Sequence, residues 1–148
     1  MVVTALSVFT RPKRSSEGGR PFLAGAQVDS NVLAILTRSC ADCHSEDTRY
    51  PWYSYVAPVS WLINDDVSEG RIHLNLSKWN DYSLQRKQRI LSEIANQVKD
   101  REMPLRQYTL LHPGSALSEA DINAIFQWTQ NERARLITES LIERPTPR

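Results

Sequence analysis

The chain has 148 residues, of which 41% are hydrophobic, and its 18 basic and 17 acidic residues leave a formal charge of +1. A chain of this length can enclose the core of one domain. The near balance of charge excludes the strongly basic composition typical of nucleic-acid-binding proteins, so we predict no nucleic-acid partner.

Residues 1–28 are predicted to form an N-terminal tail. Residues 2–9 are apolar but too few to span a bilayer, and a basic run at 11–14 and a polar, glycine-containing stretch at 15–19 follow them. Two interpretations stay open: the remnant of a membrane anchor or signal sequence, and a disordered tail. We place the folded domain at residues 29–138 and a C-terminal tail at 139–148.

Helical periodicity predicts the first two of about four helices. Asp29 or Ser30 can cap a helix that runs to Cys40 with apolar residues at i, i+3 and i+4 spacing. Pro58 suits the first turn of a second helix, and Gly70 suits its C-terminal stop.

The third and fourth predicted helices follow the same signals. The third runs from about Ser83 to Arg101, and the fourth begins at a capping box, Ser118-Glu119-Ala120-Asp121. No segment shows the period-two alternation of a strand. The predicted fold class is all-α, with long irregular loops between the helices.

The two cysteines of the chain both lie in Cys40-Ala41-Asp42-Cys43-His44. Thiols at i and i+3 share one helical turn and can reach the two vinyl groups of a haem, while the next residue carries its imidazole beneath the ring. The motif therefore predicts one covalent haem c per chain, with His44 as the proximal iron ligand. Ala41 and Asp42 are expected only to be tolerated on the outer side of this turn.

Three alternative roles for the cysteine pair fit the sequence less well. A thioredoxin-like pair requires a strand followed by a helix in a βαβ unit, and that pattern is absent from the sequence. A zinc site requires four ligands, so His73 and His112 would have to complete it, and adjacent Cys43 and His44 would be strained as ligands of one metal. Structurally idle cysteines are the third alternative.

Met103 is the predicted distal iron ligand. It precedes Pro104, just after the third helix, and proline biases the preceding residue towards an extended conformation that suits presentation of a thioether from a loop. A lone methionine is otherwise a common core residue. His73 and His112 are the competing ligands.

Aromatic residues are concentrated at Tyr50-Pro51-Trp52-Tyr53-Ser54-Tyr55, with Trp61 and Trp79 further along. Aromatic walls would exclude water from a haem, so we predict Pro51, Trp61 and Trp79 as pocket residues. Arg49 or Arg71 could donate hydrogen bonds to the haem propionates. Ordinary packing remains the alternative for each of these side chains.

The order of the motifs is similar to that of class I cytochromes c, in which the first and last helices cross near the haem edge. A closer resemblance, over about residues 30–135, is to the bacterial haem-binding domain family of small cytochrome-c-like domains, which are sometimes fused to cytochrome c or peroxidase modules. The segments that carry it are Ser39–Ser45, Thr48–Tyr53, Ala57–Trp61, Glu69–Arg71, Leu74–Trp79, Met103–Tyr108 and His112-Pro113. The resemblance adds Tyr108 to the pocket.

The predicted function is single-electron transfer by a mono-haem cytochrome, rather than enzymatic catalysis, with redox proteins as partners. The alternative is a haem-based sensor or peroxidase-like module whose distal ligand is labile. Haem attachment through thioethers takes place outside the bacterial cytoplasmic membrane. We therefore expect a periplasmic domain, free or anchored through an N-terminal segment.

Overall fold

The computed structural model describes residues 20–143, and this part of the chain contains helices, turns and loops but no strand. The all-α prediction is confirmed. Six α-helices follow one another: α1 (Ser30–Ser39), α2 (Ala41–His44), α3 (Val59–His73), α4 (Leu84–Lys99), α5 (Arg106–Leu111) and α6 (Glu119–Ile142). Short 3₁₀ turns lie at Trp52–Tyr55, Leu76–Asp81 and Pro113–Ser115.

The features predicted in residues 1–19 and 144–148 lie outside the described residues. Within residues 20–143, no helix has both the length and the apolar composition needed to cross a membrane.

Three of the four predicted helix starts are confirmed by capping contacts. The carboxylate of Asp29 accepts a hydrogen bond from the backbone N–H of Val32 at 2.9 Å, and Ser83 caps α4 in the same way. At the start of α6, Ser118 and Asp121 form the predicted capping box, in which each side chain accepts from the backbone N–H of the other residue. Local polar side chains therefore set where α1, α4 and α6 begin.

Removing the α6 cap tests this assignment. We expect Ser118→Ala to lower the free energy of unfolding by about 1 kcal/mol, because the N–H of Asp121 loses its acceptor. Urea denaturation measures the change. Ser140→Ala is the control near the other end of α6, where the hydroxyl bonds only to the carbonyl of Ile137 within the same helix. Equal losses in the two variants would show that the cap contributes nothing.

The core lies mainly among α1, α4 and α6. Thirteen buried apolar residues form one cluster there, to which the segment before α1 and the 3₁₀ turn Leu76–Asp81 also contribute; its members are Leu23, Val32, Ile35, Leu36, Leu76, Trp79, Ile90, Leu91, Val98, Ile122, Ile125, Trp128 and Leu136. α4 and α6 contact each other along their lengths, and α1 contacts α6. Burial of this surface is the main force that holds the helices together.

Residues 20–28 pack against this core, although the sequence placed them in the tail. The backbone N–H of Leu23 donates to the carbonyl of Leu76 at 3.0 Å, and the indole N–H of Trp128 donates to the carbonyl of Gln27 at 2.9 Å. At the other end, α6 continues to Ile142, four residues beyond the predicted boundary at 138. The capping signal at Asp29 marks the start of a helix rather than the start of the packed unit.

Candidate functional site

A cavity of about 570 Å³ lies among α2, α3, α4 and α5. This volume falls within the range of roughly 300–1,000 Å³ found for ligand sites in proteins. Most of its lining is apolar, from residues such as Val59, Ile63, Ile90, Ile94 and Val98. Six of the residues predicted from the sequence line it together: Cys40, Cys43, His44, Pro51, Met103 and Tyr108.

The turn Cys40–His44 has the helical geometry that the motif requires. Cys40 ends α1 and precedes α2, and its carbonyl accepts hydrogen bonds from the N–H of Cys43 at 3.3 Å and of His44 at 2.9 Å. Both cysteines are free thiols. Residues at i and i+3 on such a turn lie on the same face, so both thiols reach the cavity.

The environment of the two thiols keeps them protonated at neutral pH. Burial, with the neighbouring Cys43, raises the pKa of Cys40 to about 12. Burial and the carboxylates of Asp42 and Asp66 raise the pKa of Cys43 to about 11, against the opposing effect of Arg71. Redox-active thiols have a lowered pKa, so this turn has the opposite character to a thioredoxin-like pair.

His44 is held in the tautomer that a metal ligand needs. Its Nδ1 lies 3.0 Å from the carbonyl oxygen of Gly70 and 3.0 Å from that of Leu74. Because a carbonyl can only accept, Nδ1 carries the proton and Nε2 keeps its free lone pair. Burial lowers the pKa of His44 despite these two hydrogen bonds, which keeps the imidazole neutral. Hydrogen bonds from the Nδ1–H to carbonyl groups orient a ligating imidazole and increase its basicity.

Gly70 was predicted to stop the second helix, and that prediction is wrong. α3 continues through Gly70 to His73, and the residue serves as a point of close approach to the turn containing Cys43. A Cβ at this position would lie 2.9 Å from the carbonyl oxygen of Cys43 and 3.2 Å from its Cβ. Only glycine lets the Gly70 carbonyl come near enough to accept from His44.

We expect Gly70→Ala to destabilise the protein by about 1–3 kcal/mol, the usual cost of overpacking a close contact. The added methyl group must push α3 away from α2. Gly114→Ala is a matched control, because a Cβ there would have no neighbour within 4 Å. Urea denaturation compares the two variants, and equal stability of both would contradict the close approach.

Asp42 was expected to lie idle on the outer side of the turn, and the structure corrects this. Its carboxylate accepts hydrogen bonds from the phenol of Tyr108 at 2.8 Å and from the backbone N–H of Arg49 at 3.1 Å. Arg71 braces the loop that follows, donating to the carbonyl of Ser45 at 2.7 Å. Arg49 lines the cavity, with a largely exposed side chain.

Met103 reaches the same cavity as His44, from the connection between α4 and α5. The backbone N–H groups of Glu102 and Met103 both donate to the carbonyl of Gln97, at 2.9 and 3.2 Å. These bonds fold the chain back at the end of α4 and bring the half-buried thioether side chain to the cavity wall. The two predicted iron ligands, His44 and Met103, therefore line the same cavity.

The two competing ligands, His73 and His112, differ in their hydrogen bonds and in their exposure. The Nδ1–H of His112 faces the carbonyl of Tyr108 at 3.1 Å, and its Nε2 accepts from the phenol of Tyr53 at 2.8 Å. Both ring nitrogens of His112 are thus occupied. His73 is exposed at the end of α3, where it lines the edge of the cavity.

No group of three or more His, Cys, Asp or Glu side chains in residues 20–143 is arranged to hold a metal ion. The zinc alternative therefore lacks a donor set in this part of the chain.

Comparison with known families decides the class of site. The model of the haem-binding domain family matches residues 1–131. This chain belongs to the haem-binding domain family. No curated protein and no solved structure gives a match.

The side chains that line the cavity of this haem-binding domain include the donor groups that suit a haem. Two thiols on one turn, an imidazole with free Nε2 and a thioether all face a mainly apolar space. Imidazole and thioether are established axial ligands of haem iron.

Two aromatic residues predicted for the pocket are not brought to it. Trp79 is 0% exposed and belongs to the core, with the ammonium of Lys87 5.7 Å from its ring centroid. Trp61 is 59% exposed. Val59 and Ile63 of α3 line the cavity, and Trp61, two residues from each, lies on the opposite side of the helix because successive residues are about 100° apart.

Proposed function

We propose that this haem-binding domain is a mono-haem c-type cytochrome that carries single electrons. Cys40 and Cys43 would hold one haem through thioether bonds, and His44 and Met103 would be its axial ligands. The observation that carries the proposal is that all four side chains line one cavity, in which the hydrogen bonds donated by the Nδ1–H of His44 leave its Nε2 free.

A bound haem would supply a one-electron couple at its iron. The chain's own contribution is to orient the donors and to exclude water. The carbonyls of Gly70 and Leu74 fix the imidazole, and the apolar residues of α3 and α4 keep the surroundings of low polarity. A thioether as second ligand favours the reduced state and so raises the reduction potential.

Substitution of the cysteines tests covalent attachment. The chain is produced with the bacterial cytochrome c maturation machinery, and the purified protein is extracted with acidified organic solvent. We expect the colour to stay with the wild-type polypeptide and to be extracted from the double variant Cys40→Ser/Cys43→Ser. Colour extracted from the wild type would rule out thioether attachment while leaving haem binding itself intact.

A haem sensor or peroxidase-like module with a labile distal ligand is the second candidate. It is favoured by α5, which follows Met103 closely and has only six residues. The ferric visible spectrum distinguishes the two candidates. A weak red band reports a bond between iron and methionine sulfur and supports the electron carrier, whereas a high-spin spectrum reports an open site.

The proposed partners are redox proteins, and the proposed location is the periplasmic side of the cytoplasmic membrane. The location follows from the proposed covalent haem, since thioether attachment occurs on that side, and the partners follow from the proposed electron transfer. Fractionation of cells that express the full chain tests the location, and recovery of the haem-loaded protein only from the cytoplasm would contradict it.

A further inference from the structure

The short helix α5 lies at the cavity wall, beside the predicted ligand Met103. It begins three residues after Met103 and has six residues, of which Gln107, Tyr108 and Leu111 line the cavity. Leu110 projects into solvent and is 74% exposed. Burial of apolar side chains usually fixes a short helix, because isolated helices of this length are unstable in water. Hydrogen bonds to neighbouring elements add to what holds α5 in place.

One of these hydrogen bonds joins α5 to the cysteine turn. The phenol of Tyr108 donates to a carboxylate oxygen of Asp42 at 2.8 Å, across 66 positions of sequence. Hydrogen bonds to charged acceptors are stronger than those between neutral groups. Burial raises the pKa of Tyr108, and the hydrogen bond to Asp42 raises it further, against an opposing bond from Ser115. The phenol therefore stays protonated and remains a donor.

Neighbouring groups fix both partners of this hydrogen bond. The second oxygen of Asp42 accepts from the backbone N–H of Arg49 at 3.1 Å, which sets the orientation of the carboxylate. The ring of Tyr108 stacks on His112, with centroids 4.4 Å apart and planes at 28°. His112 is in turn held by the phenol of Tyr53. Each partner thus has one preferred orientation.

We infer that Tyr108 and Asp42 form a latch that holds the segment from Met103 to Leu111 against the cysteine turn. Both are positioning residues, because they would act on the distal ligand through the backbone rather than by touching it. When the latch is intact, the thioether of Met103 stays at the cavity wall. When it is broken, α5 loses its hydrogen bond to the cysteine turn, and the distal side of the cavity opens. The effect on iron ligation rests on the proposed function, whereas the effect on α5 does not.

Hydrogen exchange of the backbone amides tests the latch directly. In the haem-loaded protein, Tyr108→Phe and Asp42→Ala are each expected to increase exchange in peptides covering residues 103–112 by about 10-fold or more. Exchange in α1 and α6 is expected to stay unchanged. Asp42→Asn keeps an acceptor oxygen and is expected to restore most of the protection. Unchanged exchange of residues 103–112 in both Tyr108→Phe and Asp42→Ala would overturn the latch.

Tyr55→Phe is the matched control. It removes the hydroxyl of a tyrosine in the 3₁₀ turn Trp52–Tyr55 that is 39% exposed and for which the structure shows no side-chain hydrogen bond within residues 20–143. It is expected to leave the exchange of residues 103–112 unchanged. An equal increase in this control would show that any loss of a phenol in this region loosens α5, and the latch would be refuted.

Spectra of the same variants separate the latch from the proposed ligands. In Tyr108→Phe we expect the weak red band to fade and the reduced protein to take up carbon monoxide faster than the wild type, while covalent haem is retained. If the wild type itself lacks the band, the assignment of Met103 as ligand fails, yet the exchange measurement still decides the latch. If the band and carbon monoxide uptake are unchanged although exchange rises, the latch does not control the distal ligand.

Discussion

In the haem-loaded protein, Met103→Leu is expected to abolish the weak red band of the ferric state. It is also expected to lower the reduction potential by about 0.1 V or more, within the span of ~0.8 V over which axial ligands set haem potentials. Leucine fills nearly the same volume as methionine, so the cavity wall is preserved while the sulfur ligand is lost. Visible spectroscopy and a potentiometric titration measure the two effects.

His73→Gln is the control for this prediction, because His73 is a competing ligand that also lines the cavity. It is expected to leave both the band and the potential unchanged. If His73→Gln removes the second axial ligand while Met103→Leu does not, the ligand assignment is wrong. His112 is a weaker competitor, since its Nε2 already accepts a hydrogen bond from Tyr53.

The largest expected effect on stability comes from Glu132 in α6. Glu132 is 1% exposed, and its carboxylate accepts hydrogen bonds from Arg135 at 2.6 and 2.7 Å. The backbone N–H of Gln27 also lies 3.3 Å from one carboxylate oxygen, which ties the segment before α1 to α6. We expect Glu132→Ala to reduce the free energy of unfolding by about 3 kcal/mol, because the partly buried guanidinium of Arg135 keeps only the half-exposed Glu139 as a partner and the N–H of Gln27 loses its acceptor. Urea denaturation gives the value.

A control and a compensating variant sharpen this prediction. Glu139 pairs with the same Arg135 but is about half exposed, so Glu139→Ala is expected to cost less than about 1 kcal/mol. Replacing both Glu132 and Arg135 by apolar residues of similar size is expected to recover much of the loss, because no buried charge is then left unpaired. A single Glu132→Ala variant as stable as Glu139→Ala would contradict the burial of this ion pair.

Sequence alone predicted the helices whose signals are local. Asp29, Ser83 and Ser118 each cap the helix that they were predicted to begin, because a capping contact spans only three residues. The cysteine motif is local in the same sense, since its geometry is complete within the turn Cys40–His44. The short helices α2 and α5 have fewer than seven residues, too few for an apolar period to be recognised.

The parts that sequence could not predict depend on contacts between distant residues. Gly70 resembled a helix stop, but its role follows from the approach of Cys43, 27 positions earlier. Asp42 gave no local sign of its bond to Tyr108. Trp79 could not be distinguished from a pocket residue, because an aromatic side chain suits the core and a haem wall equally well. A helical-face argument would have placed Trp61 away from Val59 and Ile63.

The mass of the intact chain, matured in cells with the haem-attachment machinery, tests the central claim most directly. Measured under denaturing conditions, it is predicted to exceed the mass of the polypeptide by that of one haem. A fragment carrying the added mass is predicted to contain Cys40 and Cys43. A chain that binds haem yet has the mass of its amino acids alone would contradict covalent attachment.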